Sequence, residues 1–517
     1  MNNNNQTSLA ISLCALLFAS PGIAKKNDTQ QLSFNKSTLK ADVALSGHTL
    51  WLHDDNIAKH LLIADKTYAS RQFILFKNID GSDTPSTTIK MPDEAIAYSS
   101  GTLAGHDAEV LFYLTDNQVV SYDVTTNKQE ALFTSQSIYS GEKVISPSDD
   151  ISFAEDLNKD GLTDFILTDF RASYIFMQNS KGGFDKFELD MRPDTSLWRQ
   201  SRTFSQQTYK LFDANNDNLV DIAYQKEDEL FVHLQRDNNG FSPKATTIQL
   251  NADIVSQQTV DAKASETEGK VKLDYASFVD LVDINNDGQI DLVTQRRKRD
   301  GIFNRQGTLE IRYGQIKNAL IAFPSSPNTQ LPYDGQLMSF GENVNTYKFA
   351  DLNGDGLKDL YFPRKDFGFS DIIAGLISQS TDVNVEFFLL NEQQNFVEEP
   401  DQDKEIELAF DLDSESAEIP LFALEDFDGD GIKDLLMQIS DDKARLYVGD
   451  QKGPFSRKGQ RYEMPLPKNG NLVQIKDINK DGRADILFRY DRTDSEAKAK
   501  TLELWLSNSP ELLVKNH

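Results

Sequence analysis

A nine-residue phrase that occurs six times constrains the fold more than any other feature of this chain. It reads DLNKDGLTD from Asp156, DANNDNLVD from Asp213, DINNDGQID from Asp283, DLNGDGLKD from Asp351, DFDGDGIKD from Asp426 and DINKDGRAD from Asp477. Positions one, five and nine are Asp in every copy; position three is Asn or, at Asp428, Asp; position six is Gly in five copies. The copies begin 51 to 75 residues apart. Such a period points to a repeat array rather than to unrelated domains.

Short acidic and amide side chains alternating around a tight turn supply the oxygens that a hard cation such as calcium takes. Positions one, three, five and nine would offer side-chain oxygens, and position seven its backbone carbonyl. The candidate ligands are Asp156, Asn158, Asp160, Leu162 and Asp164; Asp213, Asn215, Asp217, Leu219 and Asp221; Asp283, Asn285, Asp287, Gln289 and Asp291. The later copies offer Asp351, Asn353, Asp355, Leu357 and Asp359; Asp426, Asp428, Asp430, Ile432 and Asp434; Asp477, Asn479, Asp481, Arg483 and Asp485. Glycine at position six permits a positive φ, and Asn218, which replaces it once, tolerates that conformation best among the other residues. Three or four carboxylates within nine residues repel one another unless a cation sits among them, so up to six calcium ions are the expected cofactor. A lone copy could also read as a solvated Asx turn; six copies in one register argue for metal.

An EF-hand begins in a similar way but places a bidentate Glu at position twelve. Here that position holds Leu167, Tyr224, Thr294, Phe362, Met437 and Phe488, in strand-like runs. Apolar residues alternate before the phrase, as in Tyr209 and Leu211 or Phe422 and Leu424, and apolar runs such as FILT, DLVT and DLLM follow it. A third run such as YIFM or TLEIRYG comes next, and the spacing leaves room for a fourth. Four antiparallel strands per repeat with no helices between them predict an all-β propeller, the cation loop joining strands one and two of six blades.

At these residues the chain resembles the FG-GAP/VCBS repeat family, whose relatives include the propeller heads of integrin α subunits. The resemblance spans roughly residues 145 to 517 and implies the propeller fold and calcium. Phe340 and Gly341 match the FG part of the family name; the GAP part is missing throughout, so the chain looks like the bacterial branch. Residues 25–147 keep the strand rhythm without the phrase, in TLWLHD, KHLLIAD, AEVLFYL and QVVSYDV, and read as one or two degenerate blades before the six of residues 148–517. The total expected is seven or eight.

The apolar run from Leu9 to Phe18, followed by Gly22 and Ala24, reads as a signal peptide over residues 1–24, although no Lys or Arg precedes the run. The single cysteine, Cys14, lies inside that run, so the mature chain would have neither a disulfide nor a membrane span. Together these predict export to a bacterial periplasm or exterior. A net charge of −28 excludes nucleic acid as a partner.

Function is expected to be binding, adhesion or scaffolding toward a protein or an anionic glycan. Candidate contacts lie on loops between strands two and three, opposite the cation loops: Arg296, Arg297, Arg299, Arg305, Arg364, Phe367 and Phe369, a basic and aromatic patch in an acidic chain. The same arginines could instead be paired with nearby Asp and Glu. The segments Asp261 to Lys272 and Glu398 to Glu418 read as insertions or mobile surface loops. The alternative function is a calcium-dependent polysaccharide lyase on the same fold. No G-x-S-x-G, H-E-x-x-H or phosphate-loop motif supports catalysis, and the chain has only six histidines.

Overall fold

Eight sheets, each built on four antiparallel strands, make up the body of the molecule. The computed structural model describes residues 32–508 apart from 55–56, 66–69, 78, 80–85, 142–146, 199–200, 237–239, 257–272, 301–303, 335, 338–346, 366–377 and 412–415.

Blade 1 is Thr49–Asp54, Ile57–Ala64, Gln72–Lys77 and Ser86–Lys90; blade 2 is Ala95–Gly101, Val110–Thr115, Gln118–Asp123 and Lys128–Thr134. Blade 3 is Ala154–Glu155, Asp164–Thr168, Ser173–Gln178 and Phe184–Leu189; blade 4 is Lys210–Phe212, Asp221–Lys226, Glu229–His233 and Thr246–Gln249. Blade 5 is Leu273–Val282, Asp291–Asp300, Asn304–Arg312 and Thr329–Asp334; blade 6 is Lys348–Ala350, Asp359–Lys365, Ser380–Phe388 and Gln402–Asp411. Blade 7 is Phe422–Glu425, Asp434–Ser440, Lys443–Tyr447 and Gln460–Glu463. Blade 8 takes Val473–Lys476, Asp485–Arg489 and Thr501–Ser507 from the end of the chain, and its outermost strand, Phe34–Lys40, from the beginning. That strand runs antiparallel to Thr501–Ser507 over its full length, from Phe34 opposite Ser507 to Lys40 opposite Thr501.

Eight hydrophobic clusters hold the sheets, one at each junction between neighbouring blades, including blade 8 against blade 1. The second strand of each phrase-bearing blade explains how. Side chains alternate across a strand, so the residue after the ninth Asp and its successor point to opposite faces. Phe165, Ile222, Leu292, Leu360, Leu435 and Ile486 pack toward the preceding blade. Ile166, Ala223, Val293, Tyr361, Leu436 and Leu487 pack toward the following one. A strand covered on both faces has no polar alternation, which is why these runs are continuously apolar. The eighth junction closes the ring.

Outer strands follow the opposite rule. STTIK in blade 1 and TTIQ in blade 4 each bury a single residue, Ile89 and Ile248. The acidic stretch from Glu398 to Glu418 is corrected on this ground. Gln402–Asp411 is the outer strand of blade 6, with Ile406 buried between exposed Glu405 and Glu407. A strand near the sheet edge, with only the short Ser416–Ala417 pairing beyond it and a solvated face, needs little apolar content, so its composition reads as loop. The segment Asp261 to Lys272 lies outside the described residues, as do Phe340, Gly341 and the apolar run of residues 9–18. Among the described residues no helix is long and apolar enough to cross a membrane.

Candidate metal centres

All six nonapeptides connect the first and second strands of blades 3 to 8, and they share one backbone path. Two positions in each take a left-handed conformation. At position six φ is +88° for Gly161, +67° for Asn218, +81° for Gly288, +87° for Gly356, +86° for Gly431 and +83° for Gly482. Position four does the same at Lys159, Asn216, Asn286, Gly354, Gly429 and Lys480, with φ between +55° and +79°. The sequence reading anticipated the first of these and missed the second, although Asn216, Asn286, Gly354 and Gly429 carry a turn signal there; Lys159 and Lys480 hide it in the other two copies.

Hydrogen bonds explain why the chain accepts both turns. The position-one carboxylate accepts the N–H of position six through Oδ2 in every copy, at 2.7 to 2.9 Å. The Oδ1 atom of position five accepts the N–H of position seven, the residues being Leu162, Leu219, Gln289, Leu357, Ile432 and Arg483. Where position three is Asn, its Nδ2 donates to position five, as from Asn158 to Asp160 at 3.0 Å and from Asn353 to Asp355 at 2.9 Å. Asn215, Asn285 and Asn479 do so to Asp217, Asp287 and Asp481. Asp428 cannot donate, and in that loop Asp426, Asp428 and Asp434 bring carboxylate oxygens within 4.8 Å of one another, a convergence of three found only here among the described residues.

The ninth Asp has a second duty that the sequence did not disclose. Asp164, Asp221, Asp291, Asp359, Asp434 and Asp485 are fully buried. Each accepts through Oδ2 the N–H of position two, at 2.9 to 3.1 Å. Through Oδ1 each accepts an N–H at or just past the end of the third strand, at 2.7 to 2.9 Å, from Gln178, Gln235, Gly314, Leu390, Gly449 and Ser507. One carboxylate thus ties three parts of a blade together, and each oxygen keeps a second lone pair, which on Asp485 Oδ2 also takes the Asn479 N–H at 3.4 Å. Burial pushes these acids up, to about 7 for Asp164, Asp291, Asp359 and Asp434 and about 6 for Asp221 and Asp485. The two amide donors pull the other way; neighbouring carboxylates of the same loop add to the rise.

Position two is apolar in every copy, a signal present in the sequence but not used. Leu157, Ala214, Ile284, Leu352, Phe427 and Ile478 are buried in the junction with the following blade. Successive loops also touch. The N–H of Lys358 donates to the carbonyl of Ile284 at 2.8 Å, and that of Ala484 to Asp426 at 2.7 Å. A Cβ on Gly354 would lie 3.1 Å from Ile432, and one on Gly429 3.1 Å from Arg483, so position four in these two copies faces position seven of the next loop. The nonapeptides of blades 5 to 8 form a continuous arc on one face.

The candidate patch lies toward the other face, but its arginines are in strands and not on loops as expected. Arg296, Arg297 and Arg299 belong to the second strand of blade 5, Arg305 to its third and Arg364 to the second strand of blade 6, because the blade 5 ladder runs on to Asp300 opposite Asn304. Arg296 contacts Glu310 at 3.1 Å, Asp274 at 3.3 Å and Asp253 at 3.9 Å. Arg364 contacts Glu386 at 2.6 Å, and Arg297 Nε donates to Gln295 Oε1 at 2.8 Å. Arg299 and Arg305 face each other across the blade 5 hairpin by backbone register. Phe367 and Phe369 lie outside the described residues. The structure therefore brings four of the arginines onto one hairpin, and gives Arg296 and Arg364 carboxylate partners within the chain.

Residues 426–488 match the family described as FG-GAP-like repeat, a span from the nonapeptide of blade 7 through that of blade 8. No curated protein sequence matches the chain. Solved structures that the chain matches include an Agrocybe aegerita lectin described for specific recognition of non-reducing terminal N-acetylglucosamine, at 13% identity and TM-score 0.37, covering 92% of this chain and 100% of that one. The dihydro-heme d1 dehydrogenase NirN gives 11% identity and TM-score 0.41 over 91% of this chain and 79% of its own. The β-propeller domain of Vanderwaltozyma polyspora Nup133 gives 10% identity and TM-score 0.37 over 80% and 95%. The chain is an eight-bladed β-propeller whose residues 426–488 are an FG-GAP-like repeat.

Proposed function

We propose that this protein is an exported binding module, a propeller stiffened by calcium on one face and presenting the other to a protein or glycan ligand. The observation that carries the metal reading is the convergence of Asp426, Asp428 and Asp434 on a loop path that five other copies repeat. The donor set fits. Hard carboxylate and amide oxygens are held by backbone N–H groups in a fixed turn, and Asp434 retains lone pairs beyond its two amide bonds. In each loop positions one, three, five and nine would hold the ion with the carbonyl of position seven. Bound calcium would offset the mutual repulsion of these carboxylates.

Binding, rather than turnover, is supported by how the conspicuous side chains are used: the ninth Asp residues are structural ties, and the buried His233 holds the Ser242 carbonyl through Nδ1 at 2.8 Å. Calorimetric titration of metal-free protein with calcium tests the metal reading; heat consistent with several sites supports it, and absence of binding at millimolar calcium overturns it. Incubation with uronate polymers tests the absence of turnover, since a lyase would release unsaturated products. Retention of envelope components by the immobilised protein, with and without calcium, tests the module.

A further inference from the structure

A cavity of about 580 Å³ lies among the inner strands of blades 6, 7, 8 and 1, within the range of about 300–1,000 Å³ usual for small-molecule sites. The segments that enter blades 1, 3 and 8, at His48, Asp149 and Asn469, form part of its wall, which places it toward the face opposite the nonapeptides.

Besides the Ser46 and Tyr361 hydroxyls, three nitrogen donors lining this cavity lack a protein acceptor among the described residues. Gln474 accepts the indole N–H of Trp51 at 2.7 Å and the Thr49 hydroxyl at 3.2 Å through the same Oε1. An indole N–H can only donate, which fixes the carboxamide and leaves its NH₂ over. Asn469 likewise accepts the Asn471 N–H through Oδ1 at 3.1 Å, leaving its own NH₂. The Lys348 ammonium is the third. The carboxylates of the wall are already engaged: Asp149 lies 2.6 Å from His48 Nδ1, and Glu425 lies 2.6 Å from Lys433 Nζ.

The wall is also rigid. A Cβ on Gly47 would fall 1.7 Å from the Ala64 carbonyl oxygen, and one on Gly470 2.7 Å from Pro420 backbone atoms. The Gly47 carbonyl accepts Arg489 Nη1, and the Gly470 N–H donates to Ile419 at 2.6 Å. Donors held in place before binding lose little freedom when a ligand arrives.

We infer that this cavity binds a carboxylated sugar, a hexuronate either free or ending a chain, with Lys348 facing the carboxylate and the amides of Gln474 and Asn469 facing ring and hydroxyl oxygens. A surplus of fixed donors calls for a ligand rich in acceptors, and the ammonium, with the Arg489 guanidinium in the same wall, calls for negative charge on it. The volume exceeds what an inorganic anion fills. The remaining lone pairs of Asp149 and Glu425 can accept sugar hydroxyls. This deepens the binding-module reading and rests on it.

The test uses calcium-loaded full-length protein and follows tryptophan emission, because Trp51 bonds directly to Gln474. Glucuronate and galacturonate, as monomers and as short oligomers, are titrated against glucose and inorganic phosphate. The expected result is saturable binding of a hexuronate at least about tenfold tighter than glucose, with no response to phosphate. Lys348→Met should weaken it about tenfold or more, the usual scale for a charge-assisted hydrogen bond, and leave glucose unaffected. Trp51→Phe should abolish the optical change while calorimetry still detects binding. Monomer and oligomer binding equally well assigns a free sugar, and a gain with the oligomer assigns a chain end. The inference fails if no hexuronate binds by calorimetry, if phosphate competes equally, or if Lys348→Met binds like the parent. Failure here with envelope retention and calcium binding intact would leave the binding module standing and remove only the cavity's role.

Discussion

Blades 1 and 2 secure the corner between their first two strands differently from blades 3 to 8. In blade 1 the corner is held from outside: Glu109, from blade 2, accepts the His53 backbone N–H at 2.9 Å and meets its ring Nδ1 at 2.6 Å. In blade 2 the connection after Gly101 is fastened to blade 3. Gln178 accepts the Ala104 N–H at 2.7 Å and donates to the Thr102 carbonyl, and Thr163 accepts the Thr102 N–H at 2.9 Å. Blades 3 to 8 instead carry their own tie, the buried ninth Asp. Inner strands differ accordingly, with six and seven residues in blades 1 and 2 against two to four in blades 3, 4, 6, 7 and 8. A carboxylate bridging loop and third strand replaces ladder length. Blade 5 has both, with a ten-residue inner strand and Asp291.

The sharpest way to break this comparison is Asp434→Ala. It leaves the N–H groups of Phe427 and Gly449 buried without an acceptor, an expected loss of about 2–6 kcal/mol for two groups. Denaturant unfolding would measure it, and Asp434→Asn, which keeps one acceptor, should lose about half as much. A smaller effect is expected from chelation. Removing calcium from one site held at a hundredfold excess over its Kd costs about 2.7 kcal/mol, so excess EDTA should lower the Tm. Hydrogen exchange should then rise at the corners of blades 3 to 8 and not at those of blades 1 and 2; uniform exchange would remove the distinction.

Next in size is Gly429→Ala, which places a Cβ at φ +79° and 3.1 Å from Arg483. It should cost about 1–2 kcal/mol by thermal melting and lower calcium affinity in the neighbouring loops. The smallest effect is expected at Glu109→Gln, which keeps an acceptor for His53 and should change stability by less than about 1 kcal/mol, independently of calcium. A calcium-dependent loss there would mean that the two kinds of corner are coupled.

These contrasts mark how much could be read from residue order alone. The all-β repeat, the blade corners and the six loops were legible because Asp, Asn and Gly at fixed offsets serve few purposes besides an oxygen-lined turn. Eight blades were settled by residues 49–134 folding into two four-stranded sheets, and blade 8 was completed by the pairing of Phe34–Lys40 with Thr501–Ser507, a contact between distant segments that no local period encodes. The ninth Asp as a buried tie was invisible for the same reason: its partners at Gly314, Leu390 and Gly449 are backbone groups, which leave no trace in side-chain identity. The pairing of Arg296 with Glu310 and of Arg364 with Glu386 depends on cross-strand register, and the cavity beside Lys348 on the placing of five blades around one axis.

The strand Phe34–Lys40 also sets the order of events in folding. It leaves the ribosome early, yet its only sheet neighbour, Thr501–Ser507, is made more than 450 residues later. Until then the outer edge of blade 8 does not exist, and an early segment with unpaired backbone groups must wait without finding another edge. Joining ends so distant is entropically costly and slow. Its polar sequence, FNKSTLK, with four exposed residues besides the single buried Leu39, suits a segment that spends that interval in water.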